Sequence, residues 1–285
     1  MPIRIYLILF VALISVSSTS LVIRHVVLVP ALTLAFWRML SASGLLWSFS
    51  AQKPQSLIVT ENRSLIIFAG FFLGLHFALF FVGVRNTSVA SATLLANTGP
   101  VFTAALSWFG GQKISRPVFL GLIISVIGII VVQWSGIGVE KNTAWGNLSS
   151  LLSGFCMAST YMFASQIRKK TDNVLYGRSV FLFAAITVGF IAFFSGESLF
   201  EFRSGDIPWF LFLGIVPSIL GHNMLSYSIK YLSPTAVASV PLGEPIIASI
   251  FGYFLFSEKI PESAIFGAPF VFVGIALIIK NSAVD

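Results

Sequence analysis

SVPLGEPIIASIFGYFLFSEKI, residues 239–260, decides how this chain folds, because an earlier stretch repeats it. LLANTGPVFTAALSWFGGQKI, residues 94–114, sets Pro100 against Pro245 and Trp108 against Tyr253. After a one-residue adjustment, Lys113-Ile114 falls on Lys259-Ile260. Downstream, Gly121 and Gly128 match Gly267 and Gly274 at a constant offset. Upstream, LHFALFFVGVR (75–85) matches GHNMLSYSIK (221–230), which places His76 beside His222 and Arg85 close to Lys230. The chain is therefore a duplicated unit, and both copies carry a proline at the same place in an apolar run.

Composition says in which solvent that unit folds. Hydrophobic residues make up 56% of the 285 positions and charged residues 9%, and the mean hydropathy is +0.94. So little charge cannot coat a water-soluble domain of this size, so an integral membrane protein is expected. Charge-free runs at 5–23, 64–84, 86–112, 117–139, 142–167, 179–196, 207–229 and 263–279 are each long enough for a helix to cross about 30 Å of hydrocarbon. Two further runs, 26–52 and 231–257, are broken by one charge each, Arg38 and Glu244. The expectation is an all-α integral membrane protein of ten transmembrane helices with short loops and no soluble domain. Five crossings per copy force the copies into opposite orientations, giving two inverted five-helix repeats, residues 1–137 and 144–281. That is an architecture of alternating-access carriers.

The first apolar run follows Arg4 as in a signal peptide, but no cleavage site follows it, so it reads as a retained first helix. Basic residues then set the orientation. With the N-terminus inside, Arg4, Lys53, Arg63, Lys113, Arg116, Arg168, Lys169, Lys170, Arg178, Lys230 and Lys280 are cytoplasmic. Arg24, Arg85, Lys141, Arg203 and Lys259 are outside. Eleven against five predicts cytoplasmic termini in a multi-pass cell membrane protein. The net charge of +7 then reports topology, and QIRKK (166–170) is a loop anchor, so no nucleic-acid partner is expected. Cys156, the single cysteine, can form no internal disulfide and supports no metal cluster.

PALTLAFWRM (30–39), residues 75–109 and LGHNMLSYSIKYLSPTAVASVPLGEPIIASIFGYFLFSEKI (220–260) resemble the EamA-type members of the drug/metabolite transporter superfamily, and the likeness extends over nearly the whole chain. The resemblance implies ten helices in two inverted repeats and cytoplasmic termini. It also implies a central cavity formed mainly by helices 1–4 and 6–9, with helices 5 and 10 as scaffold. One departure stands out: the acidic residue that often follows the fourth helix is Gln112 here, whereas its second-half counterpart, Glu258, is retained.

Arg38 and Glu244 are the only charges deep in the expected spans, where each costs about 2.5–3.5 kcal/mol on insertion scales and so faces protein or a wet cavity. At about 1.5 Å per residue, Arg38 lies roughly 12 Å from Pro30 and Glu244 roughly 20 Å from Ser257, a difference that a long Arg side chain can span. Both a structural ion pair and contact with a solute fit that placement. Pro100 and Pro245 each remove a backbone donor and are candidate hinges, or else packing features. His76 and His222 recur at matching depths; an imidazole can carry protons, though a buried one is more often a hydrogen-bonded framework residue. Trp37, Asn97, Tyr161, Asn223 and Tyr227 are candidate cavity residues because aromatics and amides suit a small amphipathic ligand, with interhelical contacts as the plainer reading. Gly70-x-x-x-Gly74 and the paired Gly121/Gly128 and Gly267/Gly274 are expected to permit close helix packing.

A function inside the bundle follows: a permease for a small organic metabolite, such as an amino acid, partnered by its solute and the lipid bilayer. The competing class is a membrane-embedded enzyme or lipid-handling protein. It finds no H-E-x-x-H or G-x-S-x-G motif here, and no Walker A motif supports ATP-driven pumping. No cofactor is expected, and nothing in the pattern specifies an oligomer.

Overall fold

The computed structural model describes residues 2–52, 62–134 and 143–283, and over these the chain is helical, with one isolated bridge between Leu232 and Ala283. The expected boundary between the repeats, and Lys53 and Lys141 among the residues counted for orientation, lie outside the described residues, as does the side chain of Arg24. In hydrocarbon every backbone N–H and C=O must be satisfied within its own segment, which is why apolar runs of this length become helices.

In chain order the first unit contains α1 (Ile3–Ser17), α2 (Thr19–His25), α3 (Ala31–Phe49), α4 (Arg63–Asn86), α5 (Val89–Ala96), α6 (Gly99–Phe109) and α7 (Arg116–Gln133). The second begins with α8 (Ala144–Ile167), α9 (Asn173–Ser195) and α10 (Ile207–Leu213). A π-helical segment (Gly214–Asn223) then leads into α11 (Met224–Ser228). After it come α12 (Pro234–Ser239), a 3₁₀ turn (Val240–Gly243), α13 (Glu244–Phe256) and α14 (Glu262–Lys280).

Seven stretches among the described residues are long and apolar enough to cross a membrane: Arg63–Asn86, Val89–Phe109, Arg116–Gln133, Asn173–Ser195, Ser204–Ser228, Pro234–Phe256 and Glu262–Lys280. α3 and α8, at 19 and 24 residues, are as long but less apolar, since one carries Arg38 and the other a buried row of serines, Ser149, Ser150 and Ser153. α1 is apolar but stops after 15 residues at Ser18, beyond which α2 continues. Large apolar side chains such as Phe193, Phe194, Phe254 and Phe266 point outward, a surface suited to lipid and not to water.

Packing pairs the two units element by element. α7 lies along α14, α3 along α9, and α6 against α12; α4 packs on α8 and α9, while α1 and α3 pack on the π segment. Glycines set the closest approaches. A Cβ added at Gly121 would lie 2.9 Å from the Gly274 carbonyl oxygen, and one at Gly274 would lie 2.6 Å from that of Gly121. Gly70 and Gly74 bring α4 equally close to the α9 backbone at Val180 and Ala184. Such small-residue contacts let helices gain dispersion where lipid offers no hydrophobic drive.

Candidate functional site

The site lies where two helical crossings are broken. Ser88 and Ser233 open the matching crossings as N-caps, their hydroxyls accepting from the backbone N–H groups of Ser91 and Ala236 at 3.1 and 3.3 Å. α5 ends at Ala96, and α6 restarts at Gly99 with Pro100 in its first turn. α12 passes through the 3₁₀ turn into α13, which starts at Glu244 with Pro245 in its first turn. Proline is tolerated there because first-turn N–H groups have no helical acceptor. The kink expected within one helix at Pro245 is thus a break between two. Glu244 gains from that break, since a carboxylate is favoured by the positive end of a helix dipole.

Arg38 is tied to a second irregularity. The Ser218 hydroxyl donates to the Leu213 carbonyl at 2.8 Å, five residues back, within the π segment that contains Pro217. Arg38 Nε donates to that hydroxyl at 2.9 Å, and the guanidinium lies 4.1 Å from the centroid of the Phe77 ring. Arg38 is 1% exposed, yet its Nη2 has no protein partner. π segments of this kind recur at functional sites. Ser218 and Phe77 were not singled out from the sequence; Pro217 within an apolar run was the only available signal.

Between these elements is a cavity with about 50 Å³ of space open to water-sized molecules. Its polar wall includes Arg38, His76, Asn97, Tyr161, His222 and Glu244 beside two threonines, Thr19 and Thr93, and Phe77, Phe80, Met157 and Pro100 supply apolar surface. Nδ1 of His76 lies 3.0 Å from the Ser153 carbonyl oxygen and 2.9 Å from its hydroxyl. Nδ1 of His222 and the Tyr161 hydroxyl have no protein partner. Arg38 and Glu244 face the same cavity without an ion pair within 4.0 Å. Two opposite charges and several unpaired polar atoms therefore share an enclosure with aromatic walls.

Other predicted residues stand elsewhere. Trp37 is not part of this wall: its indole N–H donates to the Leu199 carbonyl at 2.7 Å, and its ring packs against Phe200, Phe202 and Phe210. The same loop supplies Glu197, whose Oε1 accepts from the backbone N–H groups of Leu32 and Thr33 at 2.8 and 3.3 Å and so caps α3. Tyr227 pairs with Tyr231, hydroxyls 3.3 Å apart, with Arg4 over the Tyr231 ring. Asn223 lines a neighbouring cavity. Arg168, read as part of a loop anchor, and Arg178, counted among the cytoplasmic basic residues, are buried: Arg178 sits 4.0 Å above the Trp47 ring and donates to Ser50 Oγ at 2.9 Å.

Comparison with known proteins gives the chain its relatives. The EamA-like transporter family matches it twice, over residues 3–134 and 144–280. An uncharacterized transporter of Archaeoglobus fulgidus is 24% identical over 200 residues, covering 70% of each chain. The uncharacterized inner membrane transporter YedA of Escherichia coli is 27% identical over 181 residues, 62% of this chain and 58% of its own. A solved crystal structure superimposes with a TM-score of 0.80 at 13% identity, covering 97% of this chain and 96% of the other, a likeness of fold.

Proposed function

Because the chain belongs to the EamA-like transporter family, we propose that this multi-pass membrane transporter is a secondary carrier for a small amphipathic organic solute, an amino acid or related metabolite, working by alternating access. One observation carries the reading: Arg38 and Glu244 face one cavity between the two units without pairing directly, amid aromatic side chains. A solute with a carboxylate and an ammonium on an apolar body complements both charges at once, whereas a neutral or singly charged one leaves a charge uncompensated in a low-dielectric site.

The fold reading has ten crossings in two inverted repeats, residues 1–137 and 144–281, with both termini cytoplasmic. The reciprocal packing of α7 on α14 and of α3 on α9 supports it, as does the double family match. The broken crossings at Pro100 and Pro245 are the hinges, because the backbone there has no continuous hydrogen-bond ladder to bend against. His76 and His222, both on the cavity wall, are the candidate groups for any coupling of protons to solute movement.

Purified protein in liposomes preloaded with one amino acid should take up the same labelled amino acid by counterflow, faster than empty liposomes do. A panel of amino acids and related zwitterions with no counterflow in any member overturns the proposal.

A further inference from the structure

A second cavity lies behind the first. It is walled by α4, α8, α9 and the π segment, continues into α11 at Ser226, and shares Tyr161 and His222 with the central cavity. Its remaining polar wall is Tyr176, Asn223, Thr160 and Ser226.

Four of these side chains carry a buried polar atom with no hydrogen-bond partner among the described residues: the hydroxyls of Tyr161 and Tyr176, Oδ1 of Asn223 and Nδ1 of His222. Tyr161, Tyr176 and Asn223 are each 2% exposed. Ser226 stands beside the Tyr176 hydroxyl without forming a hydrogen bond of normal geometry to it. Buried polar groups are rarely left unpaired, and a site with several of them and space for a water molecule is where bound water is found. The free interior takes about one water. Gly177 bears on this directly, since a Cβ there would lie 2.4 Å from Asn223 Oδ1. Only a residue without a side chain lets the Asn223 amide sit against α9.

We propose that this second cavity is a water site, where bound water bridges polar atoms of Tyr161, Tyr176, Asn223 and His222 beside the central cavity. Tyr176 lies in the first turn of α9, so the site stands on the side of the central cavity that faces the start of that helix. Water bound at Tyr161 and Tyr176 gives these buried hydroxyls hydrogen-bond partners and keeps the partition between the two cavities wet at Tyr161 and His222. The inference rests on packing and polar satisfaction and is independent of the solute proposed above.

X-ray radiolytic labelling of the purified full chain, read by mass spectrometry, tests it, because side chains touching bound water oxidise quickly even when buried. Tyr161 and Tyr176 should oxidise several-fold faster, relative to intrinsic reactivity, than Phe81, which is 1% exposed in the hydrophobic core. Asn223→Leu and, separately, Gly177→Ala should slow labelling of Tyr176 several-fold and leave Phe81 unchanged. Labelling of Tyr176 in the unaltered protein no faster than that of Phe81 overturns the proposal, whatever the variants do. So does labelling of Tyr176 that survives both substitutions in folded protein.

Discussion

His76 and His222, at matching positions of the two units, meet in the middle of the bundle with ring centroids 6.2 Å apart and planes at 64°. Phe77 lies beside them, 5.2 Å from the His222 ring and beneath the Arg38 guanidinium. The two imidazoles are equivalent in sequence and unequal in bonding. His76 is held by Ser153 from α8, whereas Nδ1 of His222 has no protein partner.

That inequality predicts different consequences of substitution. His76→Leu strands the Ser153 hydroxyl and should cost about 1–3 kcal/mol, read as a lower melting temperature. His222→Leu should slow uptake with a smaller melting shift. Equal melting losses would place His222 in the structural framework. If either imidazole couples protons, its Gln variant should lose the pH dependence of uptake while retaining solute exchange.

Arg38 and Glu244 line one cavity without a direct bond, so the coupling between their substitutions should stay below that of a buried ion pair. Arg38→Met abandons Ser218 and the π segment and should lower stability by about 1.5–3 kcal/mol, the worth of a hydrogen bond to a charged group. Glu244→Gln should lower it less and still abolish uptake. A coupling in stability of about 3 kcal/mol in the double-mutant cycle would instead mark a buried ion pair.

Glu197 reaches from beyond the C-terminus of α9 to cap the N-terminus of α3, which carries Arg38. Glu197→Ala should cost about 0.5–2 kcal/mol, in the range of lost helix caps, and faster amide exchange at Leu32 and Thr33 should accompany it. Unchanged exchange at both amides would show that α3 does not need this cap.

Neither α7 nor α14 contributes to the wall of the central cavity, yet Gly121 and Gly274 hold them in backbone contact. Gly274→Leu should therefore overpack the pair and lower stability by about 1–3 kcal/mol. Apparent affinity for solute should stay the same in the protein that remains folded. A changed affinity would make this pair part of the moving machinery.

Orientation is tested at exposed positions at opposite ends of α8. In whole cells, Ala144→Cys should react with an impermeant thiol reagent and Lys170→Cys should not, with the buried Cys156 silent. The reverse pattern would invert the proposed topology.

What the sequence determined by itself was whatever local chemistry dictates. Apolar runs must be helices in lipid, Pro100 and Pro245 must interrupt them at matching points, and Arg38 and Glu244 could not be left facing hydrocarbon. The glycine pairs were legible too, because a missing side chain in an apolar helix has few purposes besides close packing. Tertiary structure alone decided which groups face one another. It set Arg38 on Ser218 and Phe77 and kept it from pairing with Glu244; it withdrew Trp37 into a box of phenylalanines, and it buried Arg168 and Arg178, which the charge pattern had counted as cytoplasmic orientation markers. It also tied the π segment to α3, where the Ser218 hydroxyl donates to the Leu213 carbonyl five residues back and accepts a hydrogen bond from Arg38 Nε. Most of these outcomes depend on contacts between different helices, up to 180 positions apart for Arg38 and Ser218, and hydrophobic periodicity along one helix holds no information about the side chain that will meet it from another.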